Sequence, residues 1–254
     1  MIHIEALGKK FGSFWAVRDL NLHVKQGEVF GFLGPNGAGK TTTMRMLVGL
    51  IRPSEGNLSV AGIDVVANPI MARQLIGFIP DRPYLYEKLT AREFMLFTAG
   101  IYGLRTSEQE QRAQELIELF GLKDWTHELV ESFSHGMKQR LIMAASIIHQ
   151  PQLLVVDEPM VGLDPRGAVL VKELFRRLVR DRAGTVFLST HTLEVAEELC
   201  DRVAILNRGQ IVAIGDMESI RKQAGAEGDE NLESLFLMLT GGQDVTESLE
   251  KAHL

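Results

Sequence analysis

Gly34-Pro35-Asn36-Gly37-Ala38-Gly39-Lys40-Thr41-Thr42 is the stretch whose reading decides the fold. It fits G-x-x-x-x-G-K-[ST], with Gly34, Gly39, Lys40 and Thr41 on the fixed positions. Glu28-Val-Phe-Gly-Phe-Leu33 precedes it, a short apolar run that reads as a buried strand. Thr42-Thr-Met-Arg-Met-Leu-Val-Gly-Leu50 follows and reads as a helix packed on one side. Strand, glycine-rich loop and helix in this order make a phosphate cradle. The helix start leaves backbone N–H groups without partners and carries partial positive charge. The glycines let the backbone curl closely around an anion. Lys40 adds a mobile charge for β- and γ-phosphates, and Thr41 offers a hydroxyl to Mg²⁺. A chance match in an ordinary turn would lack these flanks. The expectation is a nucleoside triphosphate site, with Pro35, Asn36, Gly37, Ala38 and Thr42 completing the loop.

Bulk numbers narrow the setting. The chain has 254 residues, enough for one large domain or two small ones. With 27 Lys and Arg against 33 Asp and Glu, its net charge is −6, so no nucleic-acid partner is expected. The single cysteine, Cys200, fits a reducing compartment, and its helical-looking run reads as a packed thiol. Met1-Ile-His-Ile-Glu-Ala-Leu7 alternates like a strand rather than a leader. The longest apolar runs, such as Leu141–Ile148, are too short to span a bilayer. A soluble chain is therefore expected, with any membrane role exercised through a partner.

Along the chain, residues 2–7, 19–25 and 28–33 read as strands, with turns at 8–12 and 26–27. Residues 57–61 and 63–66 read as a short hairpin, and 74–79 as a strand ending at Pro80. From Thr90 to about Gln150 the apolar spacing is helical, opened by a capping box at Thr90-Ala-Arg-Glu93. Strands return at 153–156 and 184–189, alternating with helices near 165–181 and 192–200. Residues 202–207 and 210–214 form a further hairpin, and a polar linker at 224–230 precedes an apolar helical tail. The expected class is α/β: a P-loop NTPase core with a parallel sheet, an N-terminal antiparallel β subdomain and an inserted α-helical subdomain. The expected division is an ATPase domain over 1–223, with the insertion at about 90–150, and a linker and tail over 224–254.

Leu153-Leu-Val-Val-Asp157-Glu158 puts two carboxylates at the end of a buried strand, where ligands bind in open α/β sheets. Buried carboxylates need a cation, and Mg²⁺ beside a triphosphate supplies one. Asp157 is assigned to the metal shell, directly or through water, and Glu158 to the attacking water. A structural Asp-Glu pair is the alternative, disfavoured by the phosphate loop upstream. His191 follows the next strand and reaches the same edge, placed to contact a γ-phosphate or to serve as an ordinary core or surface histidine.

Together these pieces resemble the nucleotide-binding subunit of ATP-binding-cassette (ABC) transporters, in order and over nearly the whole chain. Gly34–Thr42 resembles the Walker A loop and Leu153–Glu158 the Walker B strand. Phe133-Ser134-His135-Gly136-Met137-Lys-Gln-Arg140 resembles the family signature, Gly162-Leu-Asp164 the D-loop and His191 the switch histidine. Lys10-Phe11-Gly12 resembles the aromatic loop, which implies adenine stacking by Phe11. The resemblance implies ATP and Mg²⁺ as cofactors and a head-to-tail dimer. Each ATP would lie between one copy's Walker motifs and Ser134–Met137 of the other. Asp81 stands where the family commonly has Gln, and remains an oxygen ligand for Mg²⁺ or water. His135 and Met137 replace Gly and Gln of the commonest signature.

Pro83–Thr90, the Gly-Met-Lys-Gln-Arg form of the signature and Leu232–Gly241 resemble exporters of drugs, antibiotics, lipids or polysaccharides. That subgroup implies a separate membrane-spanning permease and a peripheral, cytoplasmic-face location. Tyr84, Leu85, Tyr86 and Phe94 are candidates for the permease contact or for the core. A soluble ABC ATPase of DNA repair or translation would carry two cassettes or a long coiled coil. A P-loop kinase or GTPase would leave 133–140 unexplained.

Overall fold

A computed structural model gives the fold and describes residues 1–81, 84–160, 163–182, 184–226 and 230–241. Two sheets and a helical block surround the phosphate loop. The first sheet is antiparallel, in the order β2 (Phe14–Val24), β1 (Ile2–Phe11), β4 (Glu55–Val60), β5 (Ile63–Asp64). The second has the order β10 (Gln210–Gly215), β9 (Arg202–Asn207), β3 (Val29–Leu33), β8 (Thr185–Thr190), β7 (Leu153–Asp157), β6 (Ile76–Ile79). All its neighbours are parallel except the β9–β10 hairpin.

Every residue of β3, β7 and β8 is buried, as expected for inner parallel strands covered on both faces. Alternation along each strand divides its side chains between two cores. Phe30, Phe32, Leu153, Val155 and Phe187 join the core shared with β1, β2, β4 and helix α1 (Lys40–Leu47). Leu154, Val156, Val186 and Leu188 face the other way, toward the helical block. Phe30 and Phe187 occupy paired positions and stack with centroids 5.9 Å apart. Burying an aromatic side chain of this kind contributes about 1.5–3 kcal/mol.

The helical block contains α3 (Ala91–Ile101), α4 (Thr106–Leu119) and α5 (His135–Ser146). The expected capping box opens α3: Thr90 Oγ1 accepts from Glu93 N at 3.2 Å, and Glu93 Oε2 accepts from Thr90 N at 2.8 Å. A third core joins Leu33, Ala196, Val203 and Ile205 to Leu232 and Leu235. It involves α7 (Leu193–Leu199), α8 (Met217–Ala224) and α9 (Leu232–Thr240). α6 (Pro165–Arg182) precedes β8 and packs against it.

Four local features differ from the sequence expectation. β1 runs through the expected turn at 8–12, because register shifts around Ala6 to Lys9 absorb the irregularity and Ala6 takes φ 47°. β2 begins at Phe14, well before residue 19. A short helix, α2 (Pro69–Gln74), occupies the segment before β6. Finally α8 fills the interval between the last hairpin and the linker. Cys200 follows α7 as its cap, and a Cβ on Gly31 would meet its Sγ at 2.9 Å. Burial pushes its thiol above the ordinary value, as a packed, unreactive thiol requires.

Candidate active site

Gly34–Gly39 carry the chain from β3 to α1 in a narrow space. Gly39 takes φ 108°, and a Cβ there would lie 2.6 Å from the Ala16 carbonyl oxygen. A Cβ on Gly34 would lie 2.6 Å from the Leu206 carbonyl oxygen. The loop is therefore wedged between β2 and β9, at a separation only glycine permits. α1 has no acidic residue in its first turn, so its N–H groups face the cleft uncompensated. Lys40 folds back over the loop and donates from Nζ to the Gly34 and Pro35 carbonyls, at 2.6 and 3.3 Å. Desolvation draws its ammonium below the ordinary value, opposed by the charges of Glu158 and Asp157.

β7 ends on Asp157, which is paired in register with Ser189 at the end of β8. Asp157 is 4% exposed. Thr41 Oγ1 donates to its Oδ2 at 3.1 Å, and Ser189 Oγ donates to its Oδ1. Two hydroxyls solvate this carboxylate without neutralising it, and no ion pair reaches it among the described residues. Glu158 leaves the strand at φ 55°, an uncommon conformation for a residue with a side chain, and donates from N to the Ser189 carbonyl at 3.0 Å. Its Oε1 lies 2.9 Å from His191 Nδ1, and its Oε2 accepts from His191 N at 3.4 Å.

These groups line one cleft of about 570 Å³. Phe11, Asn36, Gly37, Gly39, Lys40, Thr41, Thr42, Asp81, Asp157, Glu158 and His191 all face it. Gly34 and Ala38 are buried behind it as the frame of the loop, and Pro35 is exposed outside it. Sequence reasoning missed Phe14 and Ala16, which line the aromatic end, and Ser189, which holds Asp157. Ser189 directly follows Phe187-Leu188 near the end of β8, and it is the strand register that sets its hydroxyl beside Asp157.

The other predicted residues stand apart. Ser134 caps α5, accepting from Met137 N at 3.3 Å, and both Ser134 and His135 are exposed. Neither they nor Gly136 and Met137 line the cleft. Asp164 caps α6, accepting from Gly167 N at 2.8 Å, and is also outside the cleft. Gly162 of the same motif lies outside the described residues, as do Arg82 and Pro83 beside Asp81. A second groove adjoins Asp81 and is lined by Arg45, Leu50, Phe78, Tyr84 and Ile142. Tyr84 and Tyr86 are exposed, but Phe94 is buried and Leu85 packs on the helical core, so those two belong to the core.

The donor set at Asp157 suits a hard cation, because its carboxylate is joined there by the hydroxyl oxygens of Thr41 and Ser189. Among the described residues no three His, Cys, Asp or Glu side chains converge to hold a metal alone. Phosphate oxygens would have to complete the shell.

Comparison with known proteins agrees with this geometry. Residues 17–161 match the family model described as ABC transporter. The bacitracin transport ATP-binding protein BcrA of Bacillus licheniformis is 42% identical over 217 residues, covering 85% of this chain and 70% of that one. A solved ATP-binding subunit of an ABC transporter superposes with a TM-score of 0.88 at 33% identity, covering 94% of this chain and 99% of the other. The ATP-binding cassette MJ0796, solved as a dimer in a post-hydrolysis state bound to ADP and Pi, gives a TM-score of 0.79 at 25% identity, covering 85% and 99%. The fold, the phosphate loop, the two strand-end carboxylates and these likenesses converge: the chain belongs to the ABC transporter family, as an ATP-binding and ATP-hydrolysing subunit.

Proposed function

We propose that the cleft hydrolyses ATP through the side chains already placed in it, and that it is half of a composite site. The single observation that carries the reading is the meeting of Lys40, Thr41, Asp157, Glu158 and His191 in one cleft. Among the described residues Lys40 bonds two neutral carbonyls, which it can exchange for β- and γ-phosphate oxygens. Thr41 and Asp157 would hold Mg²⁺, with Asp81 at the rim as a further oxygen. Bound there, Mg²⁺ supplies charge neutralisation between the phosphates. Glu158 orients a water and accepts its proton as the water oxygen attacks the γ-phosphorus and the bond to the ADP oxygen breaks. His191 holds the Glu158 carboxylate and reaches toward the departing phosphate. Positioning and charge do most of the work in such a transfer.

Ser134 and the exposed start of α5 form a second helix N-terminus without acidic residues in its first turn, and no part of it lines its own cleft. In the proposed head-to-tail dimer it meets the γ-phosphate held by the other copy, with Asp164 at the junction. ATP then favours the closed dimer, and loss of the γ-phosphate releases it. The dimeric cassette among the structural likenesses supports this arrangement.

Among the described residues no helix is long and apolar enough to cross a membrane. We assign the spanning role to a separate permease, docked at the Asp81–Tyr84 groove, with this chain peripheral on the cytoplasmic face. The proposed direction is export, following the exporter-like segments and the bacitracin-transport relative. The domain division proposed is a cassette over 1–223 with the linker and tail after it. Substituting Glu158→Gln tests the chemistry. ATP affinity should hold while turnover falls by about 10²–10⁴. Hydrolysis at the parent rate would remove Glu158 from the mechanism.

A further inference from the structure

Phe14 carries an observation that the phosphate chemistry does not use. It is 64% exposed, and Phe11 is 51% exposed, yet both line the cleft. The two are directly paired across the β1–β2 turn. Paired residues of an antiparallel ladder project to the same face, so both rings stand on one side of the hairpin tip. Lys9 Nζ sits 5.1 Å from the Phe11 ring centroid and is itself fixed by donating to the Arg52 carbonyl at 2.7 Å. Phe14 has no ring or cation against it among the described residues. Two large apolar rings left open at the mouth of a binding cleft mark a surface that a ligand covers.

The hairpin is tied to the phosphate loop at a fixed distance. Ala16 lies two residues beyond Phe14, at the register shift that sets Trp15 opposite Lys10 and Val17 opposite Lys9, and it also lines the cleft. Its carbonyl oxygen is the atom that a Cβ on Gly39 would strike. Two strand residues span about 7 Å. That interval suits the ribose and α-phosphate that separate a base from the phosphates cradled by the loop. Phe11, Phe14 and Ala16 themselves carry no polar group to read a base edge.

We infer that Phe14 is a second base-binding residue, closing with Phe11 on the purine ring of ATP and holding it by aromatic contact. The inference rests on the reading of Phe11 as the stacking residue. It adds the opposing strand's ring, which makes binding of the base a property of the hairpin tip rather than of one side chain.

Calorimetric titration of the full chain with ATP, and separately with inorganic triphosphate, which has no base, tests it. Phe14→Ala should weaken ATP binding about 5- to 100-fold, the range for losing one base–aromatic contact. It should leave triphosphate binding unchanged. Phe14→Trp should restore ATP affinity, and Phe14→Leu, which keeps bulk without a π-face, should not. Unchanged ATP affinity in Phe14→Ala, or an equal loss for triphosphate, would overturn the inference. If Phe11→Ala weakens ATP selectively and Phe14→Ala does not, Phe14 alone is excluded. If the parent binds triphosphate as tightly as ATP, the base site itself, and the reading of Phe11 with it, is overturned.

Discussion

His191 Nδ1 lies 2.9 Å from Glu158 Oε1, though the two residues leave different strands. β7 and β8 are adjacent and parallel, so their carboxyl ends open on the same edge. Glu158 turns out of line at φ 55° and is held by the Ser189 carbonyl. A residue kept in a sparsely populated conformation by its surroundings costs about 1–3 kcal/mol, and such residues cluster at working sites. The strain here aims a carboxylate at the cleft and presents it to the imidazole. His191→Ala should leave ATP affinity nearly unchanged and lower turnover by about two orders of magnitude or more. Steady-state hydrolysis together with equilibrium ATP binding checks both parts.

Lys40 should contribute chiefly to binding. Its ammonium is desolvated before any phosphate arrives, and it exchanges two carbonyl partners for charged oxygens. Hydrogen bonds to charged groups contribute about 1.5–3 kcal/mol, so Lys40→Ala should weaken ATP about 10- to 150-fold. Titration calorimetry measures this directly, and unchanged affinity would remove Lys40 from the phosphate site.

A pH effect on stability should arise far from the cleft. His149 stacks on Tyr102 with centroids 3.6 Å apart, and its Nε2 meets the Ile76 carbonyl at 3.1 Å. Burial lowers its pKa from 6.5 to about 4, with the Ile76 contact opposing. The unfolded chain therefore binds the proton first, and stability falls as pH drops from 6.5 toward 4. The full effect is on the order of 3 kcal/mol. His149→Phe keeps a ring on Tyr102 but cannot titrate. The stability advantage of the parent over His149→Phe, from urea unfolding, should shrink across this window. A constant difference would mean that His149 does not titrate as placed.

The parts of the site that were legible in the sequence are those encoded locally. A strand, six loop residues and a lysine announce the phosphate cradle, and Asp157 and Glu158 announce themselves by ending an apolar run. The ends of parallel strands share one edge, so placing His191 there needed only the order of elements. What remained hidden depends on pairing register. Phe14 reaches the cleft because it lies opposite Phe11, and Ser189 reaches Asp157 because those two positions are neighbours across the ladder. Residues 8–12 look like a turn by composition, but the bulges in β1 absorb the glycine and carry the strand to Phe11. Phe94 fits either a permease contact or the core in sequence, and the packing of α3 on its neighbours puts it in the core.

A composite site leaves the cleft of a single chain incomplete. Sedimentation of Glu158→Gln, with and without saturating ATP, measures this most directly. The chain mass is 28.3 kDa. The expected result is a particle of twice that mass with ATP, the single-chain mass without it, and the single-chain mass again when Ser134→Arg is added to the ATP-bound variant. A single-chain particle at saturating ATP, or a dimer that survives Ser134→Arg, would contradict it.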